Sequence, residues 1–251
     1  MLTHPGRPRI ALLCSRRCPG LTSLIRGHRR RQFDLVGCLV TDGEFADRER
    51  LEAVRVPVMH HPIRPFYAAR RAPLSDLSLR PDYDRRTVDF LALQRPDVLL
   101  LSSYLYLLTG PVLEAYPDRI VNVHGSDMAR LGPDGRPLYP GLDAVRDAIR
   151  AGEKETRATA HIVTERLDDG PILLRSRPFP VAPFVGELRR TGNLRAVHAY
   201  AFAHQEWMLE AAWGPLLTGA IALVGARGVR PPLWAPPLPV APPVQAAGAQ
   251  P

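Results

Sequence analysis

The chain has 251 residues, of which 45% are hydrophobic and 23% charged, which supports one domain with a sizeable core, with or without an appendage. Its net charge of +8 comes from scattered arginines without a nucleic-acid-reading motif, and three cysteines are too few for a disulfide framework, so we expect no nucleic-acid partner and buried thiols. No apolar run is predicted to cross a bilayer, and the apolar stretch 10–14 is too short for a signal peptide, so we expect a cytoplasmic protein without a membrane partner.

The first half of the chain is predicted to alternate short apolar strands with helices. Strands are predicted at residues 10–14, 35–40, 56–60, 97–101 and 119–124, helices at 21–31, 45–54 and 83–94, and a polar loop at 62–81. Fully apolar strands separated by helices are typical of α/β proteins, so we predict a mostly parallel twisted sheet with helices on both faces. Ligands of such sheets bind beyond the carboxyl ends of the strands. Residues 15–20, 102–106 and 124–137 should therefore lie along one edge.

The second half is predicted to add a few elements and then to lose its regular pattern. A helix is predicted at 143–151, strands at 156–164 and 171–181, and a long core helix at 196–217. From Pro231 onward the chain is rich in proline and alanine and carries little charge. We therefore predict one catalytic domain at 1–228 and a Pro-rich tail at 229–251 without a core of its own.

Three short segments carry polar groups at the ends of predicted elements. Asn122 and His124 end a buried strand and lie on the same side of it, because strand side chains alternate with a period of two. The segment Leu167-Asp168-Asp169-Gly170-Pro171 is a turn after a strand, and Tyr139-Pro140-Gly141-Leu142 is a turn before a helix. Each has an ordinary structural explanation when taken alone. A strand-end histidine is more often structural than catalytic, and Asp-Gly-Pro is usually only a turn.

The order and spacing of these segments make a more specific pattern than any one of them. Together with the apolar strand 97–101 and the strand 159–164, the series resembles the folate-dependent formyltransferases, and most closely their glycinamide ribonucleotide branch. The resemblance covers the chain from the first strand to the last helix, and is strongest over residues 139–172. It implies the α/β formyltransferase fold. It also implies 10-formyltetrahydrofolate as co-substrate, no metal, and a small-molecule amine acceptor, with or without a phosphate, in a monomer or homodimer.

The resemblance also implies a role for each matched position. Asn122, His124 and Asp168 correspond to the catalytic residues of the family. Other positions correspond to the pocket that holds the folate: Arg80, Tyr104, Leu105, Tyr106, Leu107, Leu108, Val163, Thr164 and Leu167. Four positions correspond to the side that holds the acceptor: Arg16, Arg17, Gly20 and His204.

These residue types suit transfer of a formyl group to an amine. Negative charge develops on the formyl oxygen when the amine attacks, and Asn122 and His124 can donate hydrogen bonds to it. Losing one such donor typically costs about 3 kcal/mol of barrier. Asp168 can hold protonated His124 or relay a proton from the amine to the departing folate nitrogen.

The acceptor side departs from the family pattern. The loop after the first strand lacks the family's paired glycines, and Pro19 removes an N–H that could hold a phosphate. Three hypotheses therefore stand: a formyltransferase acting on glycinamide ribonucleotide or on another amine such as an amino sugar, a 10-formyltetrahydrofolate hydrolase, and a non-catalytic binding module. Retention of all three catalytic residues argues against the binding module.

Overall fold

The computed structural model of the chain describes residues 6–227 and 238–239. Eight strands form the main sheet: β1 (Arg9–Cys14), β2 (Asp34–Val40), β3 (Val58–His60), β4 (Val98–Leu101), β5 (Ile120–His124), β7 (Thr159–Ile162), β8 (Ile172–Arg175) and β10 (Leu238–Pro239). A separate two-stranded ribbon pairs β6 (Glu155–Thr156) with β9 (Phe179–Pro180). The strand order in the main sheet is β10-β8-β7-β5-β4-β1-β2-β3.

The main sheet is mostly parallel, as predicted. Strands β1 to β5 pair in parallel where they are neighbours, whereas β7 runs antiparallel to both β5 and β8. Two of the predicted strands were too long. Residues 156–164 and 171–181 each divide into one strand of the main sheet and one of the ribbon. The rest of the predicted tail lies outside the described residues, apart from Leu238–Pro239, which pair in parallel with β8.

Within the described ranges, eight helices and one 3₁₀ turn accompany the strands. They are α1 (Leu21–Arg29), α2 (Arg48–Glu52), α3 (Ile63–Ala68), the 3₁₀ turn (Leu77–Leu79), α4 (Arg80–Gln94), α5 (Gly110–Ala115), α6 (Ala144–Ala151), α7 (Phe184–Arg190) and α8 (Leu194–Arg227). Helix α3 and the 3₁₀ turn correct the predicted loop at 62–81, and α5 and α7 were not predicted. Helix α3 contains Pro65, but proline is tolerated in a first helical turn, and the helix buries Ile63, Phe66 and Tyr67.

Alternate residues of β1 enter two different cores, which places helices on both faces of the sheet as predicted. Ile10, Leu12 and Cys14 pack in the core that includes α1, α6 and α8. Ala11 and Leu13 pack in the opposite core, which includes α4 and α5. The three cysteines are free and buried, as predicted.

Helix α8 extends well beyond the predicted core helix at 196–217. Its segment Leu194–Gly225 contains an 18-residue window with a mean hydropathy of 1.4, and by length and composition alone it could cross a membrane. This corrects the prediction that no apolar run reaches that length. Within the described chain, 56% of that window is buried, and the helix contacts α1, α6, β5 and β8, as expected for a core helix.

Asp84 connects α4 to the start of α5. Its Oδ2 accepts hydrogen bonds from the amide and the hydroxyl of Thr109, at 2.7 and 2.6 Å. The side chain is fully buried, and burial raises the pKa of Asp84 from 3.8 to about 6, although the bonds from Thr109 oppose the shift. Thr109 directly follows the segment 104–108, so this carboxylate helps to hold one of the predicted binding segments.

We expect Asp84→Asn to stabilise the protein relative to wild type at pH 7 but not at pH 3.5. Between about pH 4 and pH 6 the unfolded carboxyl loses its proton while the folded one keeps it, so ionisation favours unfolding and wild-type stability falls as pH rises. A shift of this size corresponds to at most about 3 kcal/mol. Denaturant melts of both proteins from pH 3.5 to pH 7 measure the difference, and a constant difference across this range would contradict the prediction.

Candidate active site

A cavity of about 460 Å³ opens at the carboxyl ends of β1, β4 and β5. All three predicted catalytic residues, Asn122, His124 and Asp168, line it. These side chains therefore meet beyond the carboxyl ends of the parallel strands, at the edge of the sheet that the sequence predicted. The segments 104–108 and 163–168 form one side of the cavity, and residues of α8 form the other.

Asn122 is held by a histidine that the sequence analysis did not assign to the site. His161 lies directly opposite Asn122 in the antiparallel pairing of β5 with β7, and Asn122 Nδ2 is 3.2 Å from His161 Nε2. His161 Nδ1 is 2.9 Å from the carbonyl oxygen of Ile162, so Nδ1 carries the proton and Nε2 accepts from Asn122. Burial lowers the pKa of His161 to about 4, which keeps the ring neutral near pH 7. The second N–H of the Asn122 amide remains as a possible donor.

His124 lies between two acceptors. Its Nε2 is 2.7 Å from the carbonyl oxygen of Tyr139, which can only accept, so Nε2 carries a proton. Its Nδ1 is 3.3 Å from Asp168 Oδ2. Both nitrogens therefore face protein groups, which corrects the predicted direct bond from His124 to the formyl oxygen.

Asp168 is fixed by its backbone and by the turn at Tyr139. Its φ of +47° lies in the left-handed region, which is uncommon for a residue other than glycine and here belongs to the turn 167–171. Oδ2 also accepts a hydrogen bond from the Gly141 amide at 2.8 Å. Oδ1 is 3.7 Å from His161 Nε2. Because Nε2 carries no proton, it donates no hydrogen bond to Oδ1, and Oδ1 can accept a proton from elsewhere.

The predicted folate segments form apolar walls. Leu105, Leu107 and Leu167 keep 42%, 38% and 53% of their surface exposed, although they are large and apolar. Exposed apolar side chains around a concave site are typical of a surface that binds a flat, largely apolar ligand. The remaining predicted residues of these segments also line the cavity: Tyr104, Tyr106, Leu108, Val163 and Thr164.

Arg80 does not line the cavity and corrects the prediction that it meets an anionic group of the ligand. It is 2% exposed, and its Nη1 donates to the carbonyl oxygen of Leu107 at 2.9 Å. Its Nε donates to the hydroxyl of Tyr67 at 3.2 Å. Arg80 begins α4 behind the segment 104–108, so it supports that segment from the core side.

Two of the four predicted acceptor residues also lie elsewhere. Gly20 has a φ of +82° and lies against Gly214, where a side chain would not fit, so its role is helix packing. His204 is 4% exposed, with Nε2 2.8 Å from Thr156 Oγ1 and Nδ1 3.3 Å from the hydroxyl of Tyr200. It therefore faces the ribbon, not the cavity.

Helix α8 presents a different set of residues to the cavity. Gln205, Leu209 and Trp213 recur every four residues and line it together. This period is visible in the sequence and could have identified the correct face of the helix. Arg16 and Arg17 line the cavity as predicted, and Arg17 forms two hydrogen bonds with Glu206 of α8, at 2.7 and 2.6 Å.

No group of three or more His, Cys, Asp or Glu side chains that could hold a metal ion occurs among residues 6–227 and 238–239. The groups that the cavity presents are an amide, an imidazole and a carboxylate, beside an apolar cleft.

Known proteins share both the sequence and the fold. The chain is 32% identical over 108 residues to phosphoribosylglycinamide formyltransferase of Escherichia coli (strain K12), covering 43% of this chain and 46% of that protein. It is 26% identical over 174 residues to a formyltetrahydrofolate deformylase of Escherichia coli O6:H1, covering 69% and 55%. The matched regions thus span about half the length of these curated relatives.

A solved structure and a family model extend the match. The crystal structure of glycinamide ribonucleotide transformylase 1 from Symbiobacterium toebii superposes with a TM-score of 0.60 and 27% identity, over 83% of this chain and 89% of that one. The family model described as formyl transferase matches residues 8–183, which include all three catalytic candidates. The chain belongs to the formyl transferase family.

Proposed function

We propose that the chain transfers the formyl group of 10-formyltetrahydrofolate to a primary amine. The observation that carries the proposal is the His124–Asp168 pair, whose Nδ1 and Oδ2 atoms lie 3.3 Å apart beside the Asn122 amide inside the cavity. An imidazole, an N–H donor and a carboxylate with a free oxygen are groups that serve acyl transfer to an amine.

The reaction needs one bond formed, one bond broken and one proton moved. The amine nitrogen bonds to the formyl carbon, and negative charge on the formyl oxygen is stabilised by the free N–H of Asn122, with His124 held beside it by Asp168. Asp168 Oδ1 takes a proton from the attacking amine. The bond from the formyl carbon to the folate nitrogen then breaks, and that nitrogen receives the proton. Formyl amine and tetrahydrofolate are the products.

The shape of the cavity supports the folate as donor. Leu105, Leu107 and Leu167 offer apolar surface for a flat ring, and residues 163–167 line the cavity beside them. Two of the relatives are named phosphoribosylglycinamide formyltransferase. Phosphoribosylglycinamide is therefore the first acceptor to compare with other amines.

Hydrolysis is the second candidate, because the deformylase match covers 69% of the chain, more than the match to the Escherichia coli (strain K12) transferase. Water would take the place of the amine at the same trio, and formate would be released. The two activities can be distinguished because a transferase consumes 10-formyltetrahydrofolate only when an amine is present, whereas a hydrolase does not need one.

The test measures tetrahydrofolate, formate and formylated product with 10-formyltetrahydrofolate, alone and with a panel of amines. We expect the amount of formylated amine to equal the amount of tetrahydrofolate formed. We expect His124→Gln to lower the rate of formyl transfer by about a hundredfold with an unchanged melting temperature. His198→Gln, on the same chain but outside the cavity lining, is the matched control. Formate release that is independent of any amine would show that the chain is a hydrolase and would overturn the proposal.

A further inference from the structure

Each arginine that lines the cavity already pairs with a carboxylate of the protein. Arg16 Nε is 3.3 Å from Asp42, Arg17 is bonded to Glu206 at 2.6 Å, and Arg166 is 3.6 Å from Asp169. Within the described part of the chain these are the arginines that line the cavity, and no lysine joins them. An anionic ligand on this side would therefore compete with a carboxylate for each guanidinium group.

An amide of the loop between β1 and α1 is also occupied by a carboxylate from elsewhere in the chain. The amide of Cys18 donates to Asp47 Oδ2 at 2.8 Å, and this bond is buried. Asp47 Oδ1 in turn lies 2.6 Å from Arg50, and the Leu21 amide donates to the carbonyl of Cys18 at 3.1 Å. Pro19 supplies no N–H. Free amides before a helix attract anions, but residues 18, 19 and 21 offer none to an outside anion.

Helix α8 gives the acceptor side a neutral surface. Gln205 contributes an amide, Trp213 an aromatic ring and Leu209 an apolar side chain. Beside them, the Arg17–Glu206 pair remains partly exposed, with 46% and 37% of the two side chains accessible. A paired guanidinium and carboxylate can still exchange hydrogen bonds with hydroxyl groups, which both donate and accept.

We infer that the acceptor is an amine on a neutral, hydroxyl-bearing carbon skeleton without a phosphate, bound between the face of α8 and the Arg17–Glu206 pair. The inference rests on the proposed function and names the class of its acceptor. It predicts that Glu206, by occupying Arg17, discriminates against phosphorylated amines. Glu206 is thus a specificity-determining residue, separate from the catalytic trio.

Pairs of acceptors that differ only by a phosphate test the inference: glycinamide ribonucleotide with its riboside, and glucosamine 6-phosphate with glucosamine. Formylated product is measured with 10-formyltetrahydrofolate as donor, at low and high salt. In every pair that reacts, we expect kcat/KM for the dephosphorylated amine to equal or exceed that for the phosphorylated one. A preference of about thirtyfold or more for the phosphorylated member would overturn the inference and leave the proposed function intact.

A substitution at Glu206 tests the mechanism of discrimination. Glu206→Gln frees the Arg17 guanidinium, and we expect it to shift the kcat/KM ratio by about tenfold toward the phosphorylated member, with the shift reduced by salt. Glu210→Gln, the same change one turn along α8 at an exposed position, should leave the ratio unchanged. Equal ratios in Glu206→Gln and wild type would overturn the role of the pair. Absence of formylated product with every amine would instead remove the proposed function.

Discussion

Replacing Asp168 with asparagine is expected to lower the rate of formyl transfer by about a thousandfold while the protein stays folded. The asparagine oxygen can still accept the hydrogen bond from the Gly141 amide, so the turn at 167–171 keeps an anchor. The amide cannot take a proton from the attacking amine and places no negative charge beside His124. Loss of a general base together with a charge partner usually costs a factor of about 100 to 10,000.

Single-turnover rates and thermal melts of the variant and wild type measure the effect. Asp169→Asn is the matched control, because it removes a carboxylate at the next position, one that pairs with Arg166 and does not line the cavity. Its rate should stay within about threefold of wild type. An Asp168→Asn enzyme that keeps a tenth or more of wild-type turnover would contradict the assignment of Asp168 as the base.

Replacing Gly170 with alanine is expected to destabilise the protein more than replacing any other described glycine around the site with alanine. A Cβ at this position would overlap the carbonyl oxygen of Ile162 and lie 3.0 Å from its carbonyl carbon. This backbone cannot move freely, because the Ile162 amide donates to the carbonyl of Pro171 at 2.9 Å. Overpacking against backbone usually costs about 1–3 kcal/mol, and we expect the upper end here.

Denaturant unfolding measures the loss, and Gly43→Ala is the control, because nothing lies within 4 Å of a Cβ built there. Turnover of Gly170→Ala should fall as well, since any shift of the 167–171 turn moves Asp168 away from His124. A variant with wild-type stability would show that the turn can relax without cost.

The sheet could be predicted from the sequence because the signals of its strands are local, whereas the roles of Asn122, His124 and Asp168 came from the resemblance to the formyltransferases. Each strand of the first half is an apolar run between polar segments, and Asn122 and His124 share a strand face by simple alternation. The prediction that these ends meet at one edge needed only the rule for parallel strands. Helix α3 was missed because Pro65 indicates a loop. The helix forms nonetheless, because it buries its apolar side chains against the rest of the protein.

The errors at the site concern residues whose role depends on three-dimensional pairing. His161 is the partner of Asn122 only because β7 runs antiparallel to β5 in one particular register, which the strand pattern alone does not fix. Arg80 reaches the Leu107 carbonyl from the core side, and no sequence spacing indicates which side of a segment an arginine approaches. His204 was assigned to the cavity by position in the last helix, whereas the four-residue period of Gln205, Leu209 and Trp213 identifies the face that lines it.

That face of α8 has a practical consequence for engineering. The side chains that would select an acceptor belong to one helical stripe, whereas the reacting groups belong to β5 and to the turn after β7. A library limited to positions 205, 206, 209 and 213 would therefore vary acceptor choice while the catalytic trio and the folate walls stay constant. Because Leu209 and Trp213 are also buried, such a library would have to conserve their volume, and its useful diversity lies mainly at Gln205 and Glu206.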